Sequence, residues 1–172
     1  MMLQKIIDAL KGRDELSGWA VRHNVTREAQ VYLIGQKMES QRLADEENYH
    51  IEVFHQKAGS DGTPGMGAGE VTLLPNGDVS GAIDKASLVA GLISNPVHTL
   101  PAPAPIPDVP LVDEELKKNP LGTLAQVMDE MLAAASNLND VRITSAEGFA
   151  RIDAIHFVNS RGVDAEQEMT NF

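Results

Sequence analysis

The sequence has no cysteine, which excludes both a disulfide framework and a thiol nucleophile. Phe, Trp and Tyr together make up only 4% of it, so Leu, Ile, Val, Ala and Met must fill any core. Basic residues are outnumbered 14 to 25 by acidic ones, for a net charge of −11. Affinity for phosphate backbones is carried by clustered Lys and Arg, so direct nucleic-acid binding is not expected. No apolar run approaches the length of a membrane span, and the N-terminus lacks the apolar stretch of a signal peptide. With no cysteine to exploit an oxidising compartment, the expectation is a cytoplasmic chain without a membrane partner.

What is present is the composition of a globular domain: 172 residues, 42% hydrophobic and 23% charged. That length can bury one good core, or a core with a small satellite. Leu3, Ile6, Ile7 and Leu10 fall at i, i+3, i+4 and i+7, the stripe of an amphipathic helix that Gly12 ends. From Trp19 to Leu43 the pattern is extended, with Trp19, Val21, Val25, Val31, Leu33 and Met38 interleaved with polar residues. Two or three antiparallel strands are expected there, with a reversal near Gly35. Asp45-Glu46-Glu47-Asn48 reads as a solvated turn, and Tyr49 to Gln56 as a strand with Tyr49, Ile51 and Val53 on one face.

Ala58 to Gly69 is Gly-rich and reads as a mobile loop. A strand from Glu70 to Leu74 follows, stopped by Pro75-Asn76-Gly77. Asp78 suits a helix N-cap, since its carboxylate can accept free amides of the first turn. The apolar face of that helix runs through Val79, Ala82, Ile83, Ala86, Val89, Ala90 and Ile93, and Asn95-Pro96 ends it. Five prolines between Pro101 and Pro110 make Val97–Pro110 an extended, stiff link. Asp113 to Lys118 reads as a short acidic turn. Asn119 suits an N-cap and Pro120 a first helical position, where no amide is needed. Leu121, Leu124, Val127, Met128, Met131, Leu132 and Ala135 then form a helical stripe.

Val141 and Ile143 are expected to open the last sheet region. Phe149, Asp153, Ile155 and Phe157 alternate with Ile152, Ala154, His156 and Val158. A period of two with β-branched and aromatic residues is a strand, here expected to be covered on both faces. Asn159-Ser160-Arg161-Gly162 is a turn, because Asn and Gly accept positive φ. A more polar strand returns from Val163, with Asp164, Glu166 and Glu168 on one face. Its outer side is expected to be an open edge that invites pairing.

Catalytic patterns are missing. The five histidines, His23, His50, His55, His98 and His156, include no i,i+4 pair of the kind that binds zinc on a helix. His50 and His55 are an odd number apart and on a strand face opposite ways. Gly-x-Ser-x-Gly is absent. The Gly-rich stretch lacks the Gly-Lys-Ser/Thr ending of a phosphate loop and leads into a strand, so no helix N-terminus faces a phosphate. The contiguous acids at Asp45–Glu47 and Asp113–Glu115 read as solvated faces, since adjacent carboxylates do not converge as an acid–base pair. No residue is assigned a catalytic, cofactor-binding or metal-binding role.

The succession of Arg142, the strand to Val158, the turn Asn159-Ser160-Arg161-Gly162 and the returning strand resembles the middle of the PmbA/TldD family, the "modulator of DNA gyrase" proteins. The order of the earlier elements resembles that family as well. Two stretches depart from it: the long Gly-rich segment, and Asn48-Tyr49-His50 where the family commonly has Gly-x-Gly. The patterning predicts an α+β fold with a mostly antiparallel, mixed-edge sheet, two longer helices on one face and a short N-terminal helix, and the resemblance agrees with it. The resemblance implies a single domain over 1–172, made of an α/β segment to residue 95, a Pro-rich link over 96–118, and a helix with a β-hairpin over 119–172.

In such systems one subunit carries zinc and hydrolyses peptide bonds, and a homologous subunit without the metal motif completes the chamber. The chain would match the front, non-catalytic part of such a protein and hold no cofactor of its own. The implied partners are a homologous subunit, as homodimer or heterodimer, and a peptide or polypeptide substrate. The alternative is a free-standing interaction module that uses the Pro-rich arm or a sheet edge.

Overall fold

The computed structural model describes residues 1–58, 62–107, 109–138 and 142–172. In chain order the elements are α1 (Met2–Lys11), β1 (Gly18–Ile34), β2 (Lys37–Ala58), β3 (Pro64–Leu73), α2 (Val79–Leu92), β4 (Asn95–Pro96), α3 (Glu114–Lys118), α4 (Pro120–Ser136), β5 (Ser145–Asn159) and β6 (Asp164–Asn171). The strands form one six-stranded sheet in the order β4-β3-β2-β1-β5-β6. The fold is α+β and the sheet antiparallel, as the patterning implies; β2 pairs with β3 from Tyr49↔Leu73 to Ala58↔Pro64.

The chain divides into two compact units, and neither is a single stretch. One comprises Met1–Asn24, Glu47–Pro107 and Ile155–Gln167; the other comprises Val25–Glu46, Asp108–Ala154 and Glu168–Phe172. The first unit closes its core around Leu3, Ile6 and Leu10 of α1, Trp19 and Val21 of β1, Tyr49, Ile51 and Val53 of β2, and the Ala82–Ala90 face of α2. Each fully buried Leu or Ile contributes about 1.5–3 kcal/mol. α2 starts as read: Asp78 accepts the Ser80 amide at 3.1 Å. Its stripe is narrower than expected, because Val89 and Ile93 are exposed.

The Gly-rich stretch is where the sequence reading fails most. Residues 59–61 lie outside the described residues, but Pro64 to Gly69 is strand, not loop. The glycines are there because α2 lies directly on them. A Cβ at Gly67 would sit 1.9 Å from the Ala90 carbonyl oxygen, and one at Gly69 2.0 Å from that of Ala86. Small residues on both surfaces let a helix backbone touch a strand backbone.

The acidic run Asp45–Asn48 is likewise not a turn but part of β2. Its side chains find partners across the sheet: Arg27 with Asp45 at 3.1 Å, His23 with Glu47 at 2.9 Å, and Asn24 with Asn48 at 2.9 Å. The reversal between β1 and β2 does fall at Gly35, which has φ +61°.

The second unit has a core of Ala29, Val31 and Leu33 from β1, Leu116 of α3, Leu124 and Met128 of α4, and Ala150 of β5. Asn119 accepts the Gly122 amide at 3.3 Å and Pro120 takes the first turn, as read. Val127 and Met131 are exposed, so the buried stripe of α4 is again narrow. Val25, Met38 and Leu43 of the extended Trp19–Leu43 stretch are exposed as well. The short acidic turn at Asp113–Lys118 is helical: Asp113 accepts from the amides of Glu115 at 2.9 Å and Leu116 at 3.0 Å, and Leu116 is buried.

β5 begins at Ser145, so Ile143 precedes it; Val141 lies outside the described residues. Ala150, Ile152 and Val158 are buried, whereas Phe149 is 40% exposed, so the strand is not covered on both faces at its start. β6 lies at one end of the sheet order. Its outer side is not wholly open, because the Thr170 amide donates to Leu111 O at 3.0 Å.

Candidate functional site

The first unit carries a groove of about 730 Å³ between α1 and the β5–β6 turn. α1 buries Leu3, Ile6 and Leu10, which turns Ile7 and Lys11 along the groove. The opposite wall is the Asn159-Ser160-Arg161-Gly162 turn, built largely by one side chain. Asn159 is 4% exposed. Its Oδ1 accepts from the amides of Arg161 at 2.9 Å and Val163 at 3.1 Å, and its Nδ2 donates to Pro101 O at 2.9 Å. Gly162 supplies the positive φ, +89°, that closes the reversal. Ser160 fixes the turn to the start of β1: its Oγ accepts from the Trp19 amide at 3.1 Å and its amide donates to Trp19 O at 2.9 Å.

Three donors in this groove are left with capacity. Lys11 is exposed, and its side chain makes no hydrogen bond or ion pair among the described residues. Arg161 donates through Nη1 to Leu100 O at 2.5 Å, one use of a group with five N–H donors. Trp19 is 7% exposed, yet its indole N–H has no acceptor among the described residues. No fully buried side-chain nitrogen or oxygen among them lacks a partner, so this N–H keeps access to solvent, and Trp19 is among the residues that line the groove. Arg13, by contrast, is committed to Asp84 at 2.6 Å and Glu15 at 3.6 Å. The apolar part of the wall comes from Ile7, Leu16, Val158 and Val163.

The histidines go to separate places. His23 stacks on Tyr49 with ring centroids 4.3 Å apart and meets Glu47 at 2.9 Å. His50 pairs with Glu70 at 3.2 Å, while His55 bonds Ser87 of α2 at 2.7 Å. His98 packs edge-on to Phe54 at 5.2 Å. His156 stands between Asp164 at 2.7 Å and Glu166 at 3.1 Å, so two of the β6 acids share one imidazole. Among the described residues no group of three or more His, Cys, Asp or Glu is arranged to hold a metal ion. The donor sets here do not fit a zinc centre. His55 and Ser87 have the reach of a base and a hydroxyl nucleophile, but no carboxylate among the described residues bonds the other ring nitrogen of His55.

Electrostatic tuning is concentrated on the β1–β2 ladder. Glu47 is held below the usual carboxylate range, first by the Tyr49 hydroxyl at 2.7 Å and then by His23. Burial, with the Glu47 bond second, pushes the Tyr49 phenol up to about 12. Glu28 is also lowered, by Gln30 first and Arg151 next. These groups are paired structurally and do not line the groove. In the second unit an apolar hollow of about 620 Å³ is lined by Leu124, Val127, Met128 and Phe149.

No candidate site residue was singled out from sequence, and the groove was not anticipated. The signals that could have found it are the only tryptophan, at the start of a strand, and an arginine inside an otherwise small-residue turn. No helix of the described residues is long and apolar enough to cross a membrane.

No protein-family profile and no curated protein matches the sequence. Solved structures do match. TldE from Thermococcus kodakarensis is similar over 98% of this chain and 37% of its own, with a TM-score of 0.71 and 19% identity. A proposed modulator of a DNA gyrase from Thermotoga maritima matches over 98% of this chain and 37% of its own, with a TM-score of 0.76 and 12% identity. A proposed modulator of DNA gyrase from Bacteroides thetaiotaomicron matches over 98% and 38%, with a TM-score of 0.73 and 14% identity. The chain therefore spans little more than a third of the length of these proteins, and across nearly all its own length it has their fold.

Proposed function

We propose that the chain is a non-catalytic portion of a peptide-processing system of the PmbA/TldD kind, working in the cytoplasm. Its tasks on this reading are to pair with a homologous subunit and to shape the path by which a peptide reaches a zinc centre carried elsewhere. The observation that carries the reading is the fold match to TldE across 98% of the chain, joined to the element order and the Asn-Ser-x-Gly hairpin. The chemistry agrees with it. The histidines are individually engaged, and the groove between α1 and the β5–β6 turn presents donors from Lys11, Arg161 and Trp19. A net charge of −11 favours peptide over DNA as the thing handled.

A free-standing interaction module is the second reading. Its simplest form, a Pro-rich ligand offered to an aromatic groove, is disfavoured by the bonds that tie Leu100 and Pro101 to Arg161 and Asn159.

The test is metal analysis of the purified chain after zinc loading and dialysis, together with mass spectrometry of peptides incubated with it. The expected result is less than stoichiometric zinc and intact peptides. One equivalent of zinc held against chelator, or cleavage that chelator abolishes, overturns the reading.

A further inference from the structure

We propose that the groove between α1 and the Asn159–Gly162 turn binds the C-terminal end of a polypeptide, taking its free carboxylate on Lys11, Arg161 and the Trp19 indole N–H and its last apolar side chain on the adjoining wall. Three observations converge on an acceptor ligand. The indole N–H belongs to a residue that is only 7% exposed, and it has no acceptor among the described residues. An indole N–H that keeps access to solvent and has no protein acceptor can exchange water for a ligand oxygen. Lys11 and Arg161, from opposite walls, are both exposed and carry unused donors. Two cations and an N–H that line one groove suit a carboxylate, whose two oxygens accept about four hydrogen bonds.

The turn itself cannot play this part. The amides of Ser160, Arg161, Gly162 and Val163 are already spent on Trp19 O and on Asn159. Recognition therefore falls to side chains. Ile7, Leu16, Val158 and Val163 give the carboxylate an apolar neighbour to read, and about 730 Å³ is the size range of small-ligand clefts. Asp14 and Asp164 also line the groove. They set a negative rim that disfavours a second acidic group on the ligand. The choice of a polypeptide over a free carboxylic acid rests on the function proposed above; the carboxylate preference rests on the groove alone.

The probe is a short peptide ending in Leu, in three forms: free carboxylate, C-terminal amide, and N-acetyl-leucine alone. Binding is followed through Trp19, the only tryptophan, and by calorimetry. The expected result is saturable binding of the carboxylate peptide with a change in Trp19 emission. The amide should bind about tenfold or more weakly, the scale of a lost charge-assisted contact. Lys11→Glu sits on an exposed helix end and should keep the fold, checked by circular dichroism, while weakening the carboxylate peptide by a similar factor. Trp19→Phe, followed by calorimetry, should weaken the carboxylate form more than the amide.

Equal binding of amide and carboxylate, or indifference to Lys11→Glu in a folded protein, overturns the site. N-acetyl-leucine binding as tightly as the peptide overturns the polypeptide while sparing the donors. Either failure, with zinc analysis and subunit pairing as expected, removes the groove and leaves the proposed function standing.

Discussion

A Cβ placed on Gly67 would stand 1.9 Å from the carbonyl oxygen of Ala90. Strand β3 and helix α2 therefore meet backbone to backbone, and glycine is required there by the neighbour rather than by a turn. Gly67→Ala should cost about 3 kcal/mol or more, the upper range for overpacking, since the obstacle is backbone and cannot rotate away. Gly91→Ala is the control. Nothing lies within 4 Å of that added methyl, and the position is helical, so stability should rise by about 0.5–1 kcal/mol. Urea unfolding of both variants checks the pair; equal and small effects would contradict the close approach.

In the second unit, Leu124 and Met128 are 2% and 4% exposed, whereas Met131, three residues further along α4, is 42% exposed. Replacing Leu124 or Met128 with Ala should cost about 2–5 kcal/mol. Met131→Ala should change stability by less than about 0.5 kcal/mol, as surface substitutions do. A Met131 effect as large as that of Met128 would show that the exposed side of α4 is packed in solution.

Acid and alkali should act on the same ladder from opposite directions. Glu47 has a pKa lowered in the folded chain by Tyr49 and His23. A lowered carboxyl stabilises above its unfolded value of 4.5, and that contribution disappears as pH falls through the folded value. Glu47→Gln should therefore be less stable than the parent at neutral pH, with a gap that closes below 4.5. The side chain is 41% exposed, so solvent screening keeps the gap small. Tyr49 is raised to about 12, so the contribution of its neutral form is complete below 10.0 and is lost as pH rises toward 12. An ultraviolet titration of the Tyr32→Phe variant isolates Tyr49. Ionisation near 12 is expected, and ionisation near 10 would mean that the ring is not enclosed.

The elements that were legible in the sequence are those whose causes are local. Asp78 and Asn119 cap helices within three residues of themselves, and Gly35 and Gly162 close turns with their own φ. The β5–β6 hairpin follows from alternation and a turn adjacent to it. What was misread has causes that lie far along the chain. The acids at Asp45 and Glu47 looked like a turn because Arg27 and His23, 18 and 24 residues away, are invisible to local patterning. Gly65–Gly69 looked like a loop because the α2 residues that press on it, Ala86 against Gly69 and Ala90 against Gly67, lie 17 and 23 residues further along the chain. The groove assembles Lys11, Trp19 and Arg161, which share no spacing that a sequence pattern could hold.

The proposed role requires this chain to pair with a homologous subunit, and its own second copy is the first such partner available. Isologous pairing about a two-fold axis is the commonest form of soluble association. Sedimentation equilibrium of the purified chain over a wide concentration range tests this most directly. The account predicts a dimer in reversible exchange with monomer, with the dimer fraction rising with concentration. A single monomeric species at every concentration would contradict it.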